Sequence, residues 1–202
     1  MKRCGSKPKQ ILELARKKGI VSASEIDALG IHHEHLRQMR LASQLVRVGR
    51  GLYSLPDANI TAHHGLAQAS KAIPKGVICL LSALRFHEIG TQAPSEVWMA
   101  IERGTASPQS KHPRTRIVRF SGKAFSEGVK MHAIEGLSVK VYSPAKTVAD
   151  CFKYRNKIGL DVALESLREV LQTRKCTADE LWRYAKICRV TNVMRPYMEA
   201  TV

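Results

Sequence analysis

Leu45-Val-Arg-Val-Gly-Arg-Gly-Leu-Tyr-Ser-Leu55 decides how the amino-terminal part of the chain reads. Apolar and polar residues alternate on either side of Gly49-Arg50-Gly51, the pattern of a two-stranded hairpin closed by a glycine-permitted turn. Three short helical patterns precede it. The first begins near Pro8, carries Ile11, Leu12, Leu14 and Ala15 as its apolar stripe, and stops at Gly19. The second opens with Ser22-Ala-Ser-Glu25, a capping box in which Ser22 and Glu25 satisfy each other's backbone donors, and ends at Gly30. The third is expected from His32 or His33 to Ser43, with Leu36, Met39 and Ser43 at i, i+3 and i+7 on one face.

Three short helices and a tight hairpin predict a winged helix-turn-helix over residues 1–57, whose third helix enters a DNA major groove while the wing follows the backbone. With Leu36 and Met39 inward, Glu34, Arg37, Gln38 and Leu41 face outward, and His33 and Arg40 sit on one shoulder. Arg and Gln pair bidentately with guanine and adenine edges, so Arg37 and Gln38 are the expected base readers; Glu34 suits a cytosine amine or repels phosphate. Arg47 and Arg50 on the wing are expected to reach phosphates or a narrow minor groove.

Charge agrees with such a partner. Lys plus Arg number 33 against 17 Asp plus Glu, a net +16 over 202 residues. The 44% apolar content supplies cores, which excludes a disordered basic tail. Basicity speaks for polyanions: nucleic acid first, then an acidic protein or an anionic surface. The surplus is six in residues 1–57 and ten in the remainder.

From about residue 58 to 202 the pattern becomes α+β, so the chain is expected to hold two domains. A helix over 61–72 stops before Pro74, and Val77-Ile-Cys-Leu-Leu81 is a buried segment leading into a helix that Gly90 ends. Strands are expected at 97–101, 116–120 and 137–142, with a loop over 104–113. Ser143-Pro144 reads as a cap and first helical residue of a helix burying Val148, Ala149 and Phe152. Carboxy-terminal helices follow, one opened by the capping box Thr177-Ala-Asp-Glu180.

Residues 103–123 contain six basic side chains and no acidic one. Arg114, Arg116, Arg119 and Lys123 are the expected docking surface for an acidic partner or a second DNA contact, the alternative being a merely soluble charged edge strand. Metal binding is not expected: the adjacent His32 and His33 diverge by 100° on a helix, and the five cysteines form no CxxC pair. No cofactor motif is present, and no GxSxG or HExxH. Asp150, Asp161 and Lys153 have a nuclease-like composition without fixed geometry, so the chain is read as a non-enzyme. The longest apolar run near the middle is too short for a bilayer, and no apolar stretch follows the basic amino terminus, so a cytoplasmic protein without membrane contact is expected.

The wing segment, Ser82-Ala-Leu and, some ninety residues after the wing, Tyr142-Ser-Pro-Ala-Lys-Thr-Val-Ala-Asp150 closely resemble the AbiEi-type antitoxins of type IV toxin–antitoxin and abortive-infection systems. The similarity covers nearly the whole chain. It implies an autorepressor whose amino-terminal domain binds inverted repeats in its own promoter. The second domain then neutralises a nucleotidyltransferase-like toxin, generally without a stable complex. The resemblance places DNA contact on Arg47 and Arg50; the His-His-Glu-His stretch departs from the family's usual start of the recognition helix. Ser143, Pro144, Ala145, Thr147, Val148 and Ala149 match as structural residues. Two copies on an inverted repeat are met by a weak dimer or by monomers binding cooperatively. Two other readings stay open: a stand-alone winged-helix transcription factor with a ligand- or partner-sensing second domain, and a metal-dependent nucleic-acid enzyme.

Overall fold

The structure, a computed structural model, describes residues 7–57, 61–106 and 113–201. The fold is mixed α+β and divides into two compact units.

The first unit runs to Pro74 and includes His132–Val139. Helix α1 (Lys7–Lys18) buries Ile11 and Ala15, one turn apart, and ends at Gly19, whose φ of 71° lies in the left-handed region. Strand β1 (Ile20–Ser22) leads directly into α2 (Ala23–Ala28). The expected capping box forms: Glu25 N–H donates to Ser22 Oγ at 3.2 Å, and Ser22 N–H donates to Glu25 Oε2 at 2.9 Å. Helix α3 (Glu34–Leu41) buries Leu36 and Met39. Strands β2 (Val46–Gly49) and β3 (Leu52–Ser54) form the hairpin, and α4 (His64–Ala72) follows.

One expectation, the extent of α3, is corrected here, and the hairpin gains a third strand. The expected hairpin forms as β2 and β3, within a three-stranded sheet of order β1-β3-β2. Ile20 and Val21 pair with Ser54 and Tyr53, and both are buried, so the apolar pair between α1 and the capping box forms the third strand. Helix α3 is shorter at both ends than expected. Ser43 has φ 55° and is exposed, so it leaves the helical face and Leu45, 1% exposed, takes the next core place. Helix α4 belongs to the same compact unit, and its Lys71 pairs with Glu25 at 2.5 Å.

In the same unit the 132–139 segment seats its turn on the end of α1. A Cβ on Gly19 would collide with the Glu135 carbonyl oxygen, which only glycine avoids. Glu135 accepts from Thr61 N–H at 2.8 Å, from Thr61 Oγ1 at 3.0 Å, and pairs with His64 Nδ1 at 2.6 Å.

The second unit begins at Lys75. From there the chain runs β4 (Val77–Ile78), α5 (Leu80–Phe86), β5 (Val97–Glu102), β6 (Thr115–Phe120), α6 (Lys123–Ser126), β7 (Val129–Ile134), β8 (Leu137–Tyr142), α7 (Pro144–Lys153), α8 (Arg155–Ile158), α9 (Leu160–Gln172), α10 (Ala178–Cys188) and α11 (Thr191–Glu199), the 132–139 part of β7 and β8 being counted with the first unit. The five-stranded sheet has the order β6-β5-β4-β8-β7 and is mixed: β4 pairs antiparallel with β5 and parallel with β8, and β5 pairs parallel with β6.

The expected strands form, and β7, which the sequence reading did not place, is an addition. Helix α7 is the centre of the unit: every residue from Ala145 to Phe152 is buried, among α5, α9 and α10. Ser143 takes the expected cap position with Pro144 at the first helical residue, but its hydroxyl makes no capping bond. The Thr177–Glu180 capping box is fully formed. Residues 107–112 of the expected loop lie outside the described residues.

Candidate nucleic-acid interface

The core of the first unit fixes which face of α3 points outward. Leu36 and Met39 pack with Ile11, Ile26 and Leu45, so Arg37, Gln38 and Arg40 are exposed on the opposite side. Leu41, at 67% exposure, continues that face with an apolar side chain. At the start of the helix, His32 Nδ1 accepts the Glu34 N–H at 3.2 Å, and its ring stacks on His33 with centroids 4.2 Å apart. His33 also lies 4.0 Å from Asp27. The histidine run therefore caps and stacks; among the described residues no group of three metal-ligating side chains occurs.

Glu34 and Arg37 are not independent. Arg37 Nη1 donates to Glu34 Oε1 at 2.8 Å, one helical turn apart on an exposed surface. The carboxylate thus holds the guanidinium in place and cancels part of its charge.

On the hairpin, Arg47 stands opposite Tyr53, and its Nε donates to the Gly49 carbonyl at 3.1 Å. The register shifts between Arg47 and Gly49, a bulge that twists the strand locally. Arg50 is exposed in the turn, followed by Gly51 at φ 68°. The Gly51 carbonyl accepts the Ala23 N–H at 2.8 Å, which anchors the turn to α2.

Beneath these side chains, Glu25 ties α1, α2 and α4. Burial alone would raise its pKa. Hydrogen bonds from Lys18, Lys71 and Ser22 outweigh that and lower it to about 2.

In the second unit the four expected basic residues do not make one surface. Arg114 precedes β6. Arg116 and Arg119 are three residues apart in it, so strand alternation sends them to opposite faces. The Arg116 guanidinium lies 4.4 Å from the Trp98 ring centroid. Arg119 and Lys123 instead line a cleft of about 960 Å³ with Arg103, Lys153, Lys186 and Arg189. Sequence reading missed Lys186 and Arg189, and named Lys153 only within the nuclease-like set. They come from helices whose visible signal was their apolar packing face, and only the basic excess of the carboxy-terminal segment hinted at them.

The cleft floor holds a buried ion pair. Lys146, 0% exposed, donates to both Asp150 carboxylate oxygens at 2.6 Å. Its ammonium lies over the rings of Tyr142 (4.2 Å) and Phe120 (4.7 Å). Cys188 Sγ donates to Asp150 Oδ1 at 3.3 Å. Burial raises the Asp150 pKa despite Lys146, and burial together with Asp150 pushes Cys188 up to about 12. Asp150 is thus committed to Lys146, while Lys153 is exposed and Asp161 sits in the first turn of α9. No nuclease-like cluster assembles from these three.

Fold and site define an α+β protein with a basic surface in each unit. Residues 9–56 match the family described as transcriptional regulator, AbiEi antitoxin, a stretch containing α2, α3 and the hairpin; this segment is similar to the AbiEi antitoxin/transcriptional-regulator domain. The fold is similar to that of the crystal structure of the RV2827C protein from Mycobacterium tuberculosis, with a TM-score of 0.55 at 13% identity over 91% of this chain and 72% of that one. No curated protein matches the chain. Among the described residues no helix is long and apolar enough to cross a membrane.

Proposed function

We propose that the chain is a sequence-specific DNA-binding autorepressor of a toxin–antitoxin operon. In this reading residues 1–57 are a winged helix-turn-helix, and residues 58–202 neutralise a nucleotidyltransferase-like toxin without a stable complex. The observation that carries the reading is the outward face of α3, where Arg37, Gln38 and Arg40 stand exposed inside the segment that matches the regulator family. Arg37 and Gln38 read base edges, with Glu34 setting the position of Arg37; His33 and Arg40 flank the groove, and Leu41 meets thymine methyls. Arg47 and Arg50 contact phosphates. Two copies occupy an inverted repeat upstream of the gene, as cooperative monomers or a weak dimer, in the cytoplasm.

The test is binding of the full chain to a duplex from its own upstream region against a scrambled duplex, over a salt series. Arg37→Ala with Arg50→Ala should abolish the preference and reduce the salt slope by roughly one for each phosphate no longer neutralised. Unchanged binding at physiological salt sinks the interface. Co-expression with a neighbouring nucleotidyltransferase-like gene tests neutralisation separately. The cleft of the second unit favours a second reading, a transcription factor whose second domain senses a ligand and has no toxin. A gene neighbourhood without such an enzyme supports it.

A further inference from the structure

The second unit concentrates its charge in a concavity. The cleft wall collects Arg103 after β5, Arg119 on β6, Lys123 on α6, Lys153 ending α7, Lys186 on α10 and Arg189 just beyond it. Lys157 on α8 makes a seventh cation. All seven are exposed. Segments as distant as residues 103 and 189 converge on one space, which solvation of a charged face does not require. Mutual repulsion of seven cations around a hollow opposes folding, and an anion in the hollow relieves it.

Among the described residues one carboxylate lines the cleft, Asp150, and both its oxygens are taken by Lys146. It neutralises the floor rather than the wall. Among the described residues, Lys123, Lys153, Lys186 and Arg189 enter no ion pair. The wall also carries aromatic surface: Phe120 and Tyr154, with centroids 5.5 Å apart, line it, and Tyr154 is half-buried.

We propose that this cleft is a binding site for a small polyphosphorylated ligand, of the nucleoside-triphosphate or inorganic-polyphosphate class. Arg103, Arg119 and Arg189 supply forked donors for phosphate oxygens, and the lysines supply point charges. The cleft volume, about 960 Å³, lies at the upper end of small-ligand sites and fits a nucleotide. A nucleic-acid strand needs a groove that tracks its backbone, whereas these cations ring a single hollow. The site is independent of the DNA interface assigned to the first unit.

Calorimetric titration of the full chain with ATP, inorganic tripolyphosphate and adenosine tests it, at an ionic strength near 0.15 M. ATP and tripolyphosphate should each saturate one site, and adenosine should not bind. Tighter binding of ATP than of tripolyphosphate assigns the aromatic wall to a nucleoside; equal binding assigns the site to the phosphate chain alone. Both rankings support the proposal. Lys153→Glu with Lys186→Glu should weaken both ligands at least tenfold, while Arg37→Ala with Arg50→Ala leaves them unchanged. If the charge-reversed pair fails to fold, Lys123→Gln with Lys157→Gln replaces it, with several-fold weakening expected. The proposal is overturned by absence of saturation with both phosphates or by undiminished affinity in the folded variants. It is equally overturned by an oligothymidylate that displaces ATP and loses affinity in the same variants, since the occupant is then a strand.

Discussion

The two units deploy positive charge in opposite shapes. In the first, cations project from an exposed helix and a hairpin turn: Arg37 and Arg40 on α3, Arg47 and Arg50 on β2 and its turn. In the second, cations from six elements or their ends surround a hollow. Net charge alone cannot distinguish these arrangements, because it sums over shape. A convex cationic ridge inserts into something; a concave cationic ring receives something. One overall surplus of +16 therefore contains two recognition problems.

The largest effect that separates the units comes from the floor of the cleft. Lys146→Met leaves Asp150 buried without its ammonium, a loss of about 3–5 kcal/mol, with the melting temperature falling by roughly 10 °C. Replacing both partners with apolar residues, Lys146→Met with Asp150→Leu, should recover most of that, because no unpaired charge remains. Thermal melts of the three proteins check this, and a single variant as stable as wild type would show that the pair contributes nothing.

Next in size is the ridge. If Arg37 reads a base as proposed, Arg37→Ala should cost about 1–3 kcal/mol of discrimination, while Arg50→Ala should weaken all duplexes alike. Anisotropy titrations on specific and scrambled DNA separate these outcomes. Equal losses on both duplexes from Arg37→Ala would demote Arg37 to a phosphate contact.

A smaller change, in the opposite direction, is expected from Glu34→Gln. It removes a carboxylate from the ridge and releases Arg37, so affinity for unrelated DNA should rise a few-fold with a steeper salt dependence. Specificity should fall as affinity rises, because the guanidinium is no longer held in a fixed position. A drop in affinity for both duplexes would mean that Glu34 itself makes the reading contact.

The smallest effect concerns acid. Glu25 titrates near 2 in the folded chain, below its ordinary 4.5. A lowered carboxylate contributes stability that is fully present above the unfolded value and disappears as pH falls toward the folded one. The first unit should therefore weaken between about pH 4.5 and pH 2, and Glu25→Gln should flatten that limb. Circular dichroism melts across this range decide it; identical limbs for both proteins would remove Glu25 from the acid response.

Local chemistry was readable in the sequence wherever a few neighbouring residues complete the structure. Ser22–Glu25 and Thr177–Glu180 form their capping boxes because each motif contains both partners. Leu36 and Met39 are buried as helical spacing requires. Strands with clean alternation or a continuous apolar run, such as Leu137–Tyr142 and Val97–Glu102, appear in place. What escaped reading depends on partners far along the chain. Ile20–Ser22 is too short for periodicity, and becomes a strand only because Leu52–Ser54 pairs with it. Val129–Ile134 does alternate in Val-Lys-Met-His-Ala, and the reading passed over it; it is an edge strand with most of its residues partly or fully exposed. The Lys146–Asp150 pair has helical i,i+4 spacing, but nothing local reveals that both residues are buried. The cleft is the extreme case: its cations lie on segments separated by dozens of residues, and only folding brings them together.

The burial of Lys146 also makes it a built-in clock for the second unit. An amine with no exposed surface cannot meet an acylating reagent until the aromatic rings over it separate. Surface lysines such as Lys153 label from the native state, whereas Lys146 labels only from opened molecules. The ratio of the two rates, read by mass spectrometry, therefore measures how often this unit opens without any denaturant. An anion held in the cleft should slow the Lys146 signal in proportion to its occupancy, because it binds the closed form alone.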